Sequence, residues 1–266
     1  MIAFDESLPK LSQRHLALGD ISEPVSVLLP VCNECDGIEG VLAELVEVVF
    51  RHLPEGSEFL IAEGGSTDGT KGILRELNER WPFLQVTYAD KKEGFAHAAA
   101  GLYRRARCPL IFFADSDGQC VASEFWKLAL HVNGSDFVLG VKQVRYDPLV
   151  RRLASKTFNW IARRLFHTGL KDINFGFRLC RREAALACLD ECRYMRTHLN
   201  AEIALVAHRR HFRISQVQVH HRPRLYGDSR GLEPSRLLGE SWRALVALLK
   251  LRSDHTGDTG PRVHPH

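Results

Sequence analysis

Short apolar runs alternate with longer amphipathic stretches through the first half of the chain. Five runs have the length and continuous apolar character of buried strands, and the segments between them carry apolar residues at helical spacing. The predicted strands are 25–30, 57–62, 84–89, 110–114 and 136–141, and the predicted helices are 37–52, 70–81, 95–107 and 123–132. This alternation favours an α/β fold, with a mostly parallel sheet that is covered by helices on both faces.

The rhythm changes after position 141. A long amphipathic pattern covers 148–166, two further strand-like runs lie at 176–180 and 214–219, and a second amphipathic helix is predicted at 237–251. We therefore expect one α/β domain over 25–232, with a first half (25–141) and a second half (142–232). The flanking segments are predicted as an N-terminal arm (1–24), an amphipathic helix (233–252) and a disordered tail (253–266).

The composition is that of a globular protein, because 45% of the 266 residues are hydrophobic and 26% are charged. No apolar run is long enough to span a bilayer, and the N-terminus lacks the pattern of an export signal. The seven cysteines, an odd number, fit a reduced compartment better than a disulfide framework. These features favour a cytoplasmic protein, with a peripheral position at a membrane left open.

The charge is unevenly distributed along the chain. Residues 1–141 contain 12 basic and 21 acidic residues, whereas residues 142–182 contain 11 basic and only 2 acidic ones. The basic segment indicates contact with an anionic partner, either phosphate groups or an acidic lipid surface. A nucleic acid is disfavoured because no nucleic-acid-binding module is recognisable and the aromatic residues of this segment follow the spacing of a helix core.

Polar and acidic residues follow three of the predicted strands. Ligands of open parallel sheets bind beyond the carboxyl ends of the strands, so these positions are candidates for a site. Asp115 and Asp117 leave the fourth strand two residues apart, and with Gln119 they offer three hard oxygen ligands for Mg²⁺ or Mn²⁺. Gly64 and Gly69 have P-loop spacing, but Thr-Lys follows them in place of Lys-Ser/Thr, so a Walker-type NTPase is excluded.

Seven ordered motifs resemble those of family 2 glycosyltransferases of the GT-A fold, within the branch of polyprenyl-phosphate (dolichol-phosphate mannose type) sugar transferases. The motifs are LPVCNE (29–34), EGGSTDGT (63–70), EGFAHAAAG (93–101), FADSDGQ (113–119), DINFGFR (172–178), the region of Glu202, and RLYGDS (224–229). The resemblance implies a Rossmann-like sheet and metal-dependent transfer of a sugar from a UDP- or GDP-sugar donor.

The resemblance also implies a role for each matching residue. Nucleotide-sugar contacts are implied for Pro30, Asn33, Glu34, Glu63, Gly65, Ser66, Asp115, Ser116, Lys142, Arg224 and Ser229. Glu63 stands where the family usually has an aspartate that contacts the base or ribose. Asp115, Asp117 and Gln119 are implied to hold Mg²⁺ or Mn²⁺ on the donor diphosphate. Asp117, Asp172, Arg178 and Glu202 are the implied catalytic residues, the last three around the acceptor.

Two acceptor classes are compatible with these residues. A polyprenyl phosphate is already anionic near neutral pH and needs cations to position it, which the basic segment supplies. A small-molecule hydroxyl needs a carboxylate base, for which Asp172 and Glu202 are the candidates. The polyprenyl phosphate is the first expectation. A soluble enzyme of natural-product or cell-envelope biosynthesis and a non-catalytic nucleotide-sugar-binding relative are the alternatives.

Overall fold

The computed structural model describes residues 21–144, 149–224 and 234–257. Its seven strands are β1 (Val25–Val31), β2 (Glu58–Glu63), β3 (Leu84–Tyr88), β4 (Leu110–Ala114), β5 (Phe137–Lys142), β6 (Phe177–Arg181) and β7 (Ile214–Val219). Its helices are α1 (Ile38–Val48), α2 (Thr70–Arg80), α3 (Phe95–Arg105), α4 (Phe125–Ala129), α5 (Leu149–Phe166), α6 (Arg182–Leu189), α7 (Leu199–Arg209) and α8 (Pro234–Gly257).

All seven strands form one sheet in the order β3-β2-β1-β4-β6-β5-β7. β1, β2, β3 and β4 are mutually parallel, as are β5 and β7, whereas β6 runs antiparallel to both of its neighbours. The parallel register sets Val31 beside Glu63, so β1 and β2 end together at one edge of the sheet. The predicted fold class, a mostly parallel sheet flanked by helices in a single domain, is confirmed.

Two apolar layers cover the faces of the sheet. In β4, Ile111 and Phe113 enter the layer under α3, α6 and α7, whereas Leu110 and Phe112 enter the layer under α1, α2 and α4. This follows from the two-residue period of a strand. Complete burial of a side chain such as that of Phe112 contributes about 1.5–3 kcal/mol, so both layers hold β4 in place. The loop that follows β4 is thereby fixed to the centre of the sheet.

Most predicted elements agree with the structure to within a few residues, and three differ. The helix predicted over 123–132 is a short α4 between the turns Ala122–Glu124 and Val132–Gly134. The helix predicted over 37–52 ends as a separate turn at Phe50–His52. The last helix continues to Gly257, so the prediction of disorder was wrong for residues 253–257, while residues 258–266 lie outside the described part of the chain. Among the described residues, no helix has the length and apolar character to cross a membrane.

Candidate active site

The loops that follow β1 and β2 are tied to each other by side-chain hydrogen bonds. The Ser66 hydroxyl accepts from the backbone N–H of Asn33 at 2.8 Å, and the Asn33 amide oxygen accepts from the backbone N–H of Thr67 at 2.8 Å. The Thr70 hydroxyl accepts from the backbone N–H of Glu34 at 2.9 Å. Asn33 has a φ of 56°, a left-handed conformation that asparagine tolerates better than most residues. Asn33 and Ser66, predicted as nucleotide contacts, therefore also build the loops.

Glu63 lies beneath its own loop. Its side chain has no exposed surface, and Oε1 accepts from the backbone N–H of Ser66 at 2.5 Å. Lys71 Nζ lies 3.6 Å from Oε2 and donates to the carbonyl of Ala89 at 2.7 Å. The Glu63 carboxylate thus holds the turn after β2, and its contact with the base or ribose stays a prediction. Because glutamate is one methylene longer than aspartate, the Glu63 carboxylate reaches back to the turn that follows β2.

Gly65 lies where two backbone segments touch. Its φ is 79°, and a Cβ atom there would lie 2.5 Å from the Lys91 carbonyl carbon. Any side chain at position 65 would push the backbone at Lys91 away, since Cβ atoms in proteins do not lie this close to other heavy atoms. Pro30 and Ser116, two other predicted nucleotide contacts, are buried.

Asp115 and Asp117 follow β4 and form the acidic centre of this edge. Burial and the neighbouring charge of Asp117 raise the pKa of Asp115 to about 7, against the opposing effect of the Lys142 and Arg178 cations. A hydrogen bond from the Gly176 backbone also favours the charged form. A Cβ atom at Gly176 would lie 2.1 Å from Asp115 Oδ1, so glycine is required for this approach.

The donor set of this loop fits a hard divalent cation. The Gln119 backbone N–H donates to Asp117 Oδ1 at 3.0 Å, which turns the loop back towards the two carboxylates. The charge of Asp117 helps to raise the pKa of Asp115, so a cation bound between the two carboxylates would relieve their repulsion. Oxygen ligands are those that Mg²⁺ and Mn²⁺ favour. Within the described ranges, no cluster of three or more His, Cys, Asp or Glu could hold a metal. A cation at Asp115 and Asp117 would thus need the Gln119 amide, substrate oxygens or water.

A network that the sequence did not reveal braces this loop. Arg222 donates from Nε to the carbonyl of Gly118 at 2.7 Å and pairs with Glu44. Glu44 also accepts from the backbone N–H of Ala122 at 3.0 Å, and the Gln119 carbonyl accepts from the Arg222 backbone at 2.9 Å. α1 and the segment after β7 thereby both hold the loop after β4. No local motif could have predicted this, because the partners are separated by about 180 residues.

Lys142 and Asp172 meet next to the acidic pair. The Asp172 carboxylate accepts from the backbone N–H of Lys142 at 3.0 Å, and Lys142 Nζ lies 5.0 Å from the centre of the Phe175 ring. Asp172 has a φ of 45°, an uncommon conformation for a residue with a side chain. Asp115, Lys142 and Asp172 all line one cavity, so the structure brings these predicted residues together.

Arg178 is buried below the site and holds its backbone. Its exposure is 1%, and its guanidinium donates to the carbonyls of Asn200, Ile173 and Phe175 at 2.7–3.1 Å. Burial lowers its pKa, and the charge of Asp115 partly restores it. The predicted contact of Arg178 with the acceptor stays a prediction. Arg178 positions the segment that carries Asp172.

Glu202 also holds backbone. Its carboxylate is buried and accepts backbone hydrogen bonds from Arg193, Tyr194 and Met195 at 2.7, 2.9 and 2.7 Å. In this structure both carboxylate oxygens of Glu202 are used to hold the backbone of 193–195. Its role as a catalytic base stays a prediction.

The late motif reaches the site from the other side. Arg224 pairs with Glu34 in the loop after β1, which brings these two predicted nucleotide contacts together. Ser229, the other residue predicted from this motif, lies outside the described residues.

A cavity of about 840 Å³ begins at this site and continues between α5 and α8. One end is polar and contains Asp115, Lys142 and Asp172, while the walls are mainly apolar. The wall residues include Val150, Leu153, Ala154, Phe158, Ile161, Phe175, Trp242, Ala244, Leu245 and Leu248. Sequence reasoning missed Asn174 and His198, which also line the cavity; burial lowers the pKa of His198.

Two curated transferases are similar to this chain in sequence. The chain is 29% identical over 220 residues to the undecaprenyl-phosphate 4-deoxy-4-formamido-L-arabinose transferase of Pseudomonas savastanoi pv. phaseolicola, a match that covers 80% of this chain and 62% of the relative. It is 25% identical over 209 residues to the dolichyl-phosphate beta-glucosyltransferase ALG5C of Trichomonas vaginalis, covering 72% of this chain and 62% of that protein. The chain thus spans less than two thirds of the length of these two curated relatives.

Solved structures share the fold. Glucosyl-3-phosphoglycerate synthase from Mycobacterium tuberculosis, in complex with Mn²⁺, UDP-glucose and phosphoglyceric acid, superposes with a TM-score of 0.63 at 18% identity, over 91% of this chain and 82% of that one. The GT-A fold implied by the sequence motifs is thereby confirmed. The model of the family described as "Glycosyl transferase family 2" matches residues 26–202. With the motif order, the sheet and the acidic centre in agreement, the chain belongs to glycosyl transferase family 2.

Proposed function

We propose that the protein transfers a sugar from a UDP- or GDP-sugar to a polyprenyl phosphate, with Mg²⁺ or Mn²⁺ bound at Asp115 and Asp117. The observation that carries this proposal is the cavity, which joins a polar end at Asp115, Lys142 and Asp172 to an apolar groove between α5 and α8. A phosphorylated isoprenoid has the same division, an anionic head and an apolar tail. The names of the two polyprenyl-phosphate relatives support this acceptor class.

The residues of the chain divide the work between donor and acceptor. Asp115, Asp117 and Gln119 hold the cation, which when bound offsets the negative charge that develops on the leaving diphosphate. The Mn²⁺ and UDP-glucose in the solved glucosyl-3-phosphoglycerate synthase support a divalent cation and a nucleotide sugar. Glu34 and Arg224 lie on the donor side, where Arg224 exchanges its partner Glu34 for a phosphate.

The acceptor phosphate is positioned by Lys142 and needs no general base. A phosphate monoester has its second pKa near 6, so its oxygen is anionic at neutral pH and can attack the anomeric carbon directly. Asp172 orients Lys142 through the backbone hydrogen bond at 3.0 Å. The roles of Glu202 and Arg178 remain structural in this mechanism. A lipid acceptor places the reaction at a membrane surface.

Release of nucleoside diphosphate tests this function. Purified protein is incubated with UDP-, GDP- and dTDP-sugars, with Mg²⁺ or Mn²⁺, and with or without a short-chain polyprenyl phosphate in detergent. We expect release from one donor that is stimulated by the lipid phosphate and abolished by EDTA. Metal-dependent release that ignores the lipid would overturn the acceptor and favour a hydroxyl compound, with Asp172 as base. If the protein binds a nucleotide sugar but releases no nucleoside diphosphate with any acceptor tested, sugar transfer would be contradicted and a non-catalytic binding protein favoured.

A further inference from the structure

Exposed apolar side chains are concentrated on the two helices that border the cavity. Six of the ten large hydrophobic side chains exposed in the described part of the chain belong to α5 or α8. They are Leu149, Val150, Leu153 and Trp160 on α5 and Trp242 and Leu249 on α8, between 47% and 77% exposed. We call these six residues the apolar rim. Clustered exposed apolar surface of this kind marks an interaction site.

The α5 part of the rim forms one stripe. At 3.6 residues per turn, Leu149, Trp160, Leu153 and Val150 fall within roughly 100° of the helix circumference. Val150 and Leu153 also line the cavity, as does Trp242 on α8. The stripes of the two helices therefore meet at the mouth of the cavity and share one outward side.

Basic residues border the apolar stripe. Arg152, Lys156 and Arg163 lie on one side of α5, within roughly 40° of one another beside Leu149. Arg164 lies over the Trp160 ring at 5.8 Å. α5 contains no acidic residue. A positive border beside an apolar stripe complements a surface that is anionic outside and apolar within.

On α8 the two acidic residues with described side chains both have partners in the protein. Glu240 contacts Thr197 at 3.3 Å and pairs with Arg243, and Asp254 accepts from the Tyr194 hydroxyl. The Glu240 side chain is only 13% exposed, whereas Asp254 is exposed and lies near the basic residues Lys250 and Arg252 of the same helix.

We propose that the apolar rim and its basic border dock the protein on an anionic lipid bilayer. Tryptophan and leucine enter the headgroup–acyl boundary, and the arginines and lysines contact lipid headgroups. Docking in this orientation turns the cavity mouth towards the lipid, so an acceptor enters the groove without crossing water. The inference rests on the proposed function for its purpose, although docking itself can be measured separately.

Co-sedimentation with vesicles tests the inference on the full chain. Vesicles of phosphatidylcholine are compared with vesicles of phosphatidylcholine mixed with phosphatidylglycerol. The test variant replaces three rim residues that do not line the cavity, as Leu149→Ser/Trp160→Ser/Leu249→Ser. The matched control is Leu130→Ser, a leucine 53% exposed outside both helices. Far-UV circular dichroism checks that all variants are folded.

The wild type and Leu130→Ser are expected to bind the anionic vesicles, and the triple variant to bind at least about tenfold more weakly, since partition scales with buried apolar area. Raising the salt from about 0.1 M to about 1 M shortens the Debye length from about 10 to about 3 Å and is expected to weaken wild-type binding. Wild-type protein that stays in solution, or a triple variant that sediments like the wild type, would overturn docking.

The two proposals fail in different ways. In detergent with a short-chain polyprenyl phosphate, the triple variant is expected to release nucleoside diphosphate at the wild-type rate, because the cavity is unchanged. A wild type that binds vesicles but shows no lipid-stimulated release would contradict the proposed function and leave docking supported. A protein that shows lipid-stimulated release in detergent but does not bind anionic vesicles would support the proposed function and contradict docking.

Discussion

Replacing Glu202 by glutamine separates a structural role from a catalytic one. The substitution keeps the shape of the side chain but removes its charge and one of its two acceptor oxygens. One oxygen can still accept from Arg193 and Tyr194, which bond to Oε1 in the wild type. The new amide NH₂ then faces the backbone N–H of Met195, which donates to Oε2 at 2.7 Å. Two donors oppose each other in a buried site.

The cost follows from these contacts. A hydrogen bond to a charged group contributes about 1.5–3 kcal/mol, and one such bond is lost outright while the other two lose their charge. We expect Glu202→Gln to lower the free energy of unfolding by about 3 kcal/mol. For a chain of this size, 1 kcal/mol corresponds to about 2–4 °C in Tm, so the expected fall is about 6–12 °C.

Thermal and urea unfolding measure this loss, and release of nucleoside diphosphate measures activity well below the transition. Glu79→Gln on the exposed side of α2 is the matched control and is expected to change stability by less than about 0.5 kcal/mol. The turnover of Glu202→Gln is expected to stay within about tenfold of wild type, because no acceptor contact is lost. A variant with wild-type Tm that has lost turnover would refute the structural role and restore Glu202 as a base.

Three further substitutions test other parts of the site and fold. Gly176→Ala is expected to displace Asp115 and to reduce turnover by at least about tenfold, while circular dichroism shows that the protein remains folded. Wild-type activity of this variant would contradict the need for a close approach between Gly176 and Asp115. Asp136→Asn is expected to lower the unfolding free energy by about 1 kcal/mol at pH 7. Burial raises the pKa of Asp136, but the hydrogen bonds and charge of Arg213 outweigh it, so its net pKa is lowered. The stabilisation by the Asp136 carboxylate is present above the unfolded-state pKa and is lost as the pH falls through the folded-state pKa. The difference in unfolding free energy between wild type and variant, measured by urea unfolding, should therefore shrink below about pH 4. A difference that stays constant with pH would contradict this prediction. Asp117→Asn is expected to abolish metal-dependent transfer while Tm stays equal or rises, because Asp117 and Asp115 repel each other; retained EDTA-sensitive turnover would remove Asp117 from the metal site.

β1, β2, β4 and β5 were predictable because each is a mostly apolar run that is buried in the sheet. β4 matches its predicted bounds, and the acidic residues after it follow from where a parallel sheet places its carboxyl ends. The C-terminal end of α8 was not predictable, because residues 253–257 are polar and carry no core stripe. There Asp254 accepts a hydrogen bond from Tyr194, a tertiary contact that local sequence does not encode.

The site was predictable by residue type but less so by role. Asp115, Lys142 and Asp172 meet around one cavity as expected. Glu63, Arg178 and Glu202 have the chemistry of functional residues, yet each is used to hold backbone. A motif gives residue types and spacing, whereas the direction in which a side chain points depends on packing with distant segments. The hydrogen bond from Arg222 to the loop after β4 shows the same limit.

Mass spectrometry of the lipid product tests the central claim most directly. The protein is incubated with the preferred nucleotide sugar, a divalent cation and either a short-chain polyprenyl phosphate or the corresponding alcohol. The account predicts a glycosylated polyprenyl phosphate, formed only with the phosphate and lost with Asp117→Asn or EDTA. A sugar attached to the alcohol at the same rate, or turnover of donor with neither lipid modified, would contradict it.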